Sequence, residues 1–364
     1  MDQNLANDVA LCQQLLQSLT DILAGRSFRF MEVCGTHTVT IFQTGLRALL
    51  PGNITHLSGP GCPVCVTHDA EIAACIELAS RKDVLMATFG DLVRVPGPEG
   101  QSLKHARANG AQIAIVYSPL EALELARQNP GQTVVFLGIG FETTAPAVAA
   151  TILQAKQLNL ANFCVLSLHK LVPPVLKALL DDKDTALDAF LLPGHVSTII
   201  GLEPYGFLVS RYGVPGVVGG FTAQEILLAL CQLAKAFVCG EPMIVNAYPK
   251  AVHDGGNPKA REIMAEVFES KDALWRGLGQ IPGSGLGIRS KYAQFDAVSR
   301  FALTLPEVRS IPGCKCGQVL KGTITPKECP LFGRKCTPQN PVGPCMVSTE
   351  GSCAAWFRYV GVEE

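Results

Sequence analysis

Gly59-Pro-Gly-Cys-Pro-Val-Cys65 places two cysteines, two prolines and two glycines within seven residues, directly after the apolar run Ile54 to Leu57. Prolines and glycines at this density indicate a rigid turn that leaves a β-strand. Thr67 is a suitable N-cap for the amphipathic segment that follows, so the cysteines are expected near a helix N-terminus, where partial positive charge favours thiolates. Two thiolates on a stiff loop suit either a dithiol/disulfide couple or a soft metal ion.

This dithiol turn lies within a long alternation of short apolar runs and helical patterns. Such alternation favours parallel sheets that are covered by helices on both faces. The predicted fold class is α/β, with two consecutive doubly wound, Rossmann-like parallel-sheet domains and a cysteine-rich C-terminal region. The predicted strands are 28–33, 54–58, 84–88, 113–117, 133–137, 163–168, 189–192 and 214–218.

Four divisions of the chain are expected from this pattern. They are an N-terminal helix at 1–27, a first α/β domain at 28–129 that contains Cys34 and the dithiol turn, a second α/β domain at 130–245, and a C-terminal region at 246–364 that binds an iron–sulfur cluster.

Composition limits the class of protein. With 30 Lys and Arg against 31 Asp and Glu, the formal charge is -1, which argues against a nucleic-acid partner. No apolar run approaches the roughly 20 residues of a membrane span, and the acidic N-terminus does not look like a secretory signal, so a cytoplasmic protein is expected. In that compartment, the 14 cysteines indicate metal or redox chemistry rather than a disulfide framework.

Polar residues cluster where the predicted strands end, the edge at which open parallel sheets bind ligands. If the carboxyl edges of the two sheets face one another, these loops line one cleft. Each histidine could instead brace its own loop, and the glutamate could anchor a loop by accepting backbone N–H bonds. The candidates, besides Cys62 and Cys65, are Cys34, His37, Asp91, Glu142 and His195.

The C-terminal region carries a second group of cysteines among prolines and glycines, and it has too few apolar residues to fold alone. The spacings match neither a zinc ribbon nor a bacterial ferredoxin. They favour a four-thiolate iron–sulfur cluster over structural zinc, and an added redox disulfide stays possible. The six residues are Cys314, Cys316, Cys329, Cys336, Cys345 and Cys353.

Taken together and in order, these motifs resemble the HypD family of hydrogenase maturation factors over nearly the whole chain. They are Cys34-Gly-Thr-His-Thr38, the dithiol turn, Thr88-Phe-Gly-Asp-Leu-Val-Arg-Val-Pro-Gly97, Gly140-Phe-Glu-Thr-Thr144, Leu192-Pro-Gly-His-Val-Ser197 and the cysteine-rich tail. The resemblance implies a scaffold that works with the small partner HypC in assembling the Fe(CN)2CO group of [NiFe]-hydrogenases. It also implies cyanide delivery by HypE with HypF, and transfer of the finished group to the hydrogenase large subunit.

The resemblance further implies roles for individual residues. Cys34, Cys62 and Cys65 would form the site that handles Fe(II) and performs thiol redox chemistry. His37, His195 and Glu142 would orient the cyanide and carbonyl ligands or move protons, and Asp91 would anchor the loop between them. A [4Fe-4S] cluster is implied in the tail, with the favoured ligands Cys314, Cys329, Cys336 and Cys353; Cys316 is the main rival to Cys314, and Cys345 is the more dispensable residue.

Two other classes of protein stay open at this point. A freestanding thiol-disulfide oxidoreductase would turn over Cys62 and Cys65 with generic disulfides. A zinc-stabilised binding module would use the tail cysteines for structure alone.

Overall fold

The computed structural model describes residues 3–308 and 312–361, and it confirms the α/β fold class with parallel sheets and a cysteine-rich tail. The strands are β1 (Phe28–Glu32), β2 (Ile54–Ser58), β3 (Val84–Thr88), β4 (Gln112–Ile115), β5 (Thr133–Gly138), β6 (Phe163–Ser167), β7 (Ala189–Pro193), β8 (Gly216–Gly219), β9 (Ile244–Asn246), β10 (Phe268–Trp275) and β11 (Gly279–Ile288).

Helices connect and cover these strands. The α-helices are α1 (Gln3–Leu23), α2 (Gly35–Gln43), α3 (Leu46–Leu49), α4 (Pro63–Val66), α5 (Asp69–Ala79), α6 (Leu103–Ala108), α7 (Pro119–Gln128), α8 (Ala145–Gln157), α9 (Val172–Asp181), α10 (Gly194–Ile200), α11 (Gly206–Tyr212), α12 (Ala223–Cys239), α13 (Pro258–Val267), α14 (Ala297–Phe301), α15 (Cys316–Leu320) and α16 (Ser352–Tyr359). Short 3₁₀ helices occur at Gly90–Arg94, Pro98–Gly100, Glu203–Tyr205, Ser290–Phe295, Pro326–Glu328 and Pro344–Met346.

Nine strands form two fully parallel sheets. The first sheet has the order β2-β1-β7-β8-β9, and the second has the order β4-β3-β5-β6. Strands β6, β7 and β8 are buried along their whole length, as expected for strands that helices cover on both faces. The remaining strands, β10 and β11, form an antiparallel hairpin.

The path of the chain between the sheets differs from the expected consecutive domains. The chain makes β1 and β2, builds the whole second sheet, and then returns to complete the first sheet with β7, β8 and β9. The expected division between residues 129 and 130 therefore falls inside the second sheet, where β3 pairs with β5. The apolar pattern of a strand predicts which of its residues are buried, but it does not predict which strands pair. The return of the chain to the first sheet therefore could not be predicted from the sequence pattern.

The predicted strands all occur within two residues of their expected ends. The hairpin was not predicted, because half of β10 is exposed and three of its residues are charged (Phe-Glu-Ser-Lys-Asp-Ala-Leu-Trp), and β11 contains four glycines. The expectation for Thr67 was wrong. His68 caps α5 instead, since its Nδ1 accepts the Ala70 N–H at 3.2 Å and its own N–H donates to Glu71 at 3.0 Å.

The cysteine-rich tail shares one hydrophobic core with the first sheet. Leu320 and Met346 are buried among side chains such as Met31 and Leu192, and the Trp356 ring lies 5.6 Å from that of Phe42. Burial of an apolar side chain of this size stabilises a fold by about 1.5–3 kcal/mol. The tail is therefore held against the sheet by ordinary hydrophobic packing.

Within the described residues, no helix combines the length and the apolarity that crossing a bilayer requires.

Candidate functional site

A cleft of about 520 Å³ lies between the carboxyl ends of the two sheets. The loops after β1, β2 and β7 line it from the first sheet, and the loops after β3, β4 and β5 line it from the second. Three of the predicted site residues, Cys34, Asp91 and His195, meet at this cleft. The two carboxyl edges thus face one another, which is the condition under which the strand-end loops line one cleft.

Cys34 sits at the start of α2 with its backbone fixed from two sides. Its N–H donates to the buried carboxylate of Glu32 at 3.0 Å, and the next N–H, of Gly35, donates to the Gly61 carbonyl at 2.9 Å. A Cβ on Gly61 would lie 2.6 Å from the Cα of Cys34, closer than any side chain tolerates. Only glycine allows the dithiol turn to approach Cys34 this closely.

The electrostatic surroundings keep the unliganded Cys34 thiol protonated. Burial raises its pKa to about 12, and the charges of Glu350 and Glu32 add to the rise, while the backbone N–H groups of His37 and Thr36 oppose it. A metal cation that binds this sulfur must therefore displace a proton, and the N–H groups at the helix start are oriented to stabilise the resulting negative charge.

Glu350 is a cleft residue that the sequence did not reveal. It belongs to the tail, yet its Oε1 accepts a hydrogen bond from the Thr36 hydroxyl at 3.2 Å, across 314 positions of sequence. Burial raises the pKa of this carboxyl, and the charges of Asp91 and Glu32 add to the rise. The only local signal is a polar Ser-Thr-Glu-Gly-Ser run, which reads as an ordinary loop.

The two predicted histidines occupy different positions. His195 lines the cleft and stacks on Phe221 with ring centroids 3.9 Å apart, and burial lowers its pKa. His37 is fully buried, its ring centroid lies 4.9 Å from that of Phe221, and its Nε2 lies 2.9 Å from the Gly220 carbonyl. Burial lowers the pKa of His37 to about 4, so it is neutral near pH 7 and braces the site from behind.

Glu142 points away from the cleft, although its neighbours Phe141 and Thr143 line it. Its Oε1 accepts the N–H of Val172 at 2.9 Å, and its carboxyl borders a separate pocket. Burial raises its pKa to about 7. The geometry matches the loop-anchoring interpretation, because the carboxylate ties the loop after β5 to the start of α9.

Cys62 and Cys65 form a disulfide between the cleft and the tail. Cys62 caps α4, where its sulfur accepts the N–H of Cys65 at 3.2 Å. Both sulfurs are buried, and the neighbouring Pro63 rather than either cysteine lines the cleft. On its other side, the Cys65 sulfur lies 3.9 Å from the carbonyl of Pro344, the residue before Cys345.

The tail cysteines lie close to one another. The sulfurs of Cys314 and Cys316 are 3.0 Å apart, and a Cβ on Gly343 would lie 2.6 Å from the Cys316 sulfur, so this glycine leaves room for the pair. The sulfur of Cys336 accepts the N–H of Val342 at 3.3 Å. Burial raises the pKa of the Cys353 thiol, and four neighbouring thiols add to the rise. These neighbours are Cys316, Cys336, Cys314 and Cys329.

No three His, Cys, Asp or Glu side chains converge on a single ion-binding point within residues 3–308 and 312–361. A [4Fe-4S] group does not need such convergence, because each of its four thiolates binds a different iron. The donor set fits that group in chemistry, since it consists of gathered thiols, a space kept open by Gly343 and a backbone N–H directed at sulfur.

Comparison with known proteins gives a consistent result. A family model described as "HypD: Hydrogenase formation hypA family" matches residues 10–360. The chain is 45% identical over 337 residues to "Hydrogenase maturation factor HypD" of Escherichia coli (strain K12), which covers 92% of this chain and 90% of the relative. It is 44% identical over 365 residues to the factor of the same name from Rhodobacter capsulatus, covering 97% of each.

Proposed function

Because this chain belongs to the HypD family of hydrogenase maturation factors, we propose that its cleft is an assembly scaffold that holds Fe(II) with cyanide and carbonyl ligands through Cys34. The observation that carries the proposal is the position of this sulfur in a cleft built from the strand-end loops of both sheets. A free cysteine at a helix start suits a soft, low-spin iron centre.

The residues around the sulfur have distinct tasks in this proposal. The N–H groups at the start of α2 stabilise the Cys34 thiolate once iron has displaced its proton. Asp91 and Glu350 accept that proton or hydrogen-bond to groups on the iron, and His195, stacked on Phe221, orients the cyanide nitrogens. The cargo enters and leaves through the open side of the cleft.

The disulfide gives the site a redox element. Opening the Cys62–Cys65 bond takes two electrons and two protons and yields two thiols, which would add sulfur ligands beside Cys34. Its position against Gly61 couples the state of this bond to the backbone of Cys34. Both sulfurs are buried, which disfavours turnover with large generic disulfide substrates and so argues against a freestanding oxidoreductase.

The tail is proposed to hold a resident [4Fe-4S] group through four of its six cysteines. The favoured set is Cys314, Cys329, Cys336 and Cys353, with Cys316 and Cys345 as alternatives. Such a group supplies or accepts one electron at a time. The close approach of Cys65 to Pro344 supports a role for the tail in the redox state of the dithiol.

The proposed partners follow from the family. They are the small partner HypC, HypE with HypF as the source of cyanide, and the hydrogenase large subunit as the recipient, all in the cytoplasm. HypC would complete the iron site at the open side of the cleft, where the exposed Tyr117 forms part of the rim.

The test is an anaerobic purification of the chain with HypC, followed by infrared spectroscopy and an iron and sulfide assay. The wild-type complex is expected to be brown and to show cyanide and carbonyl bands. Cys34→Ala is expected to lose the bands while keeping the tail iron and sulfide. Cys75→Ala, which alters a buried thiol away from the cleft, serves as the matched control and should keep both.

Each result decides between classes of function. Bands that persist in Cys34→Ala would refute the role of this sulfur. A colourless protein that contains zinc would favour a binding module, and rapid reduction of generic disulfides without HypC would favour an oxidoreductase.

A further inference from the structure

Arg276 is a buried guanidinium in the turn between β10 and β11, and its contacts fix it in place. Its backbone N–H donates to the Val66 carbonyl at 2.9 Å, and its Nε donates to the Thr67 carbonyl at 3.0 Å. Its Nη1 pairs with a carboxylate oxygen of Asp69 at 2.5 Å. The arginine is thereby attached to the segment that directly follows the dithiol turn.

The same turn is pressed against the cysteine-rich tail. A Cβ on Gly317 would lie 2.6 Å from the Cα of Gly277, and Gly277 has a φ of +74°, so both positions require glycine. Gly277 follows Arg276, and Gly317 follows Cys316. This backbone contact holds the guanidinium beside the first two cysteines of the tail, and all three side chains border one pocket of about 600 Å³.

One nitrogen of the Arg276 guanidinium donates no hydrogen bond to the described residues. Its Nη2 is buried and has no hydrogen-bond partner among the described residues. A buried donor on a cation is costly to leave unpaired, because it loses its bonds to water without replacement. The anchoring of the other nitrogens shows that the orientation is built, so the free donor points to a missing acceptor.

An anionic sulfur is the acceptor that best fits the free Nη2 donor of Arg276. The sulfurs of Cys314 and Cys316 lie 3.0 Å apart, and both residues border the same pocket as Arg276. Four thiolates on an iron–sulfur group carry net negative charge, and one-electron reduction adds one more unit. A fixed cation at this place favours the reduced form, since hydrogen bonds and charge near the sulfurs set the reduction potential.

We propose that Arg276 is a positioning residue for the tail centre, with its Nη2 reserved for an anionic sulfur at Cys314 or Cys316. This inference rests on the proposed iron–sulfur group in the tail. Asp69 also contributes, because its carboxylate pairs with the guanidinium of Arg276 and offsets part of its positive charge. The pair thus sets the reduction potential of the centre next to the Cys62–Cys65 disulfide.

The test compares Arg276→Gln, Asp69→Asn and the matched control Lys321→Met. Lys321 borders the same pocket but is half-exposed and paired with Asp182 at 2.7 Å. Each variant is purified anaerobically as the full chain. The readouts are iron and sulfide per chain, the rate of iron loss to a chelator, and the midpoint potential from a redox titration followed by visible absorbance.

The two members of the pair are expected to act with opposite signs. Arg276→Gln should lower the equilibrium constant for reduction of the tail centre at least tenfold, which lowers the midpoint potential by about 59 mV for a one-electron couple. This variant should also lose iron to the chelator faster. Asp69→Asn should shift the potential upward, because it leaves the arginine charge less compensated. Lys321→Met should leave all three readouts at their wild-type values.

A merely structural pair would not produce this sign reversal. Potentials that are equal in all variants, or that move in the same direction in Arg276→Gln and Asp69→Asn, would overturn the proposal. If Arg276→Gln does not fold, Asp69→Asn alone decides the case, because an unchanged or lowered potential there contradicts it. A wild-type chain without iron and sulfide would instead refute the proposed function itself.

Discussion

Gly61→Ala tests whether the dithiol turn and Cys34 are locked together. A Cβ at position 61 would lie 2.6 Å from the Cys34 Cα, and the atoms it meets are backbone, which cannot rotate aside. The strand-end loops would have to separate, which also strains or breaks the hydrogen bond from the Gly35 N–H to the Gly61 carbonyl, 2.9 Å long.

Two terms give the expected size of the effect. Overpacking of a well-packed site costs about 1–3 kcal/mol. Loss of a partner for a buried backbone group costs about 1–3 kcal/mol more. We therefore expect Gly61→Ala to lower the free energy of unfolding by about 2–6 kcal/mol when both terms act.

The assay is urea denaturation of the metal-free chain, followed by circular dichroism, with Gly52→Ala as the control. Gly52 is an exposed turn residue whose added Cβ would meet nothing within 4 Å. A glycine-to-alanine change at a compatible site stabilises by about 0.4–1 kcal/mol, through the unfolded chain. Equal free energies of unfolding for the two variants would refute the close approach of Gly61 to Cys34.

Three further predictions address the surroundings of the site. Glu350→Gln removes a charge that adds to the effect of burial on the pKa of Cys34, so alkylation of Cys34 at alkaline pH should accelerate, as measured by site-resolved mass spectrometry; an unchanged rate would contradict the placement of Glu350. Burial lowers the pKa of His37 from 6.5 to about 4, so the unfolded chain binds a proton in this window that the folded chain does not, and stability should fall as pH drops from 6.5 to 4. His37→Gln should flatten that dependence in urea titrations, and an equally steep curve would contradict this cause. Lys170→Met leaves the buried Glu71 without its cation and should cost about 3–5 kcal/mol, whereas adding Glu71→Gln should recover part of the loss; no recovery would show that the 2.5 Å ion pair is not the reason.

The strands and the cleft could be predicted because their causes are local. Each strand of the two sheets but the short β9 contains a short apolar or β-branched run between helical patterns, and open parallel sheets bind ligands at the carboxyl edge. Cys34, Asp91 and His195 follow strands β1, β3 and β7, so their meeting follows once the carboxyl edges of the two sheets face one another.

Other features depend on contacts between distant segments. Glu350 reaches the cleft because the tail packs on the first sheet, and Arg276 lies beside the tail where Gly277 and Gly317 approach closely. Neither has a distinctive local motif. Glu142 shows the opposite case, because its motif was evident but the direction of its side chain depends on the Val172 N–H in another loop.

The most direct test of the central claim is to locate the iron. Anaerobic crystals of the chain with HypC, measured at the iron absorption edge, should show an anomalous peak bonded to the Cys34 sulfur between the two sheets, separate from the density of the tail cysteines. Iron that appears in the tail alone, in a complex whose infrared spectrum carries cyanide and carbonyl bands, would contradict the account.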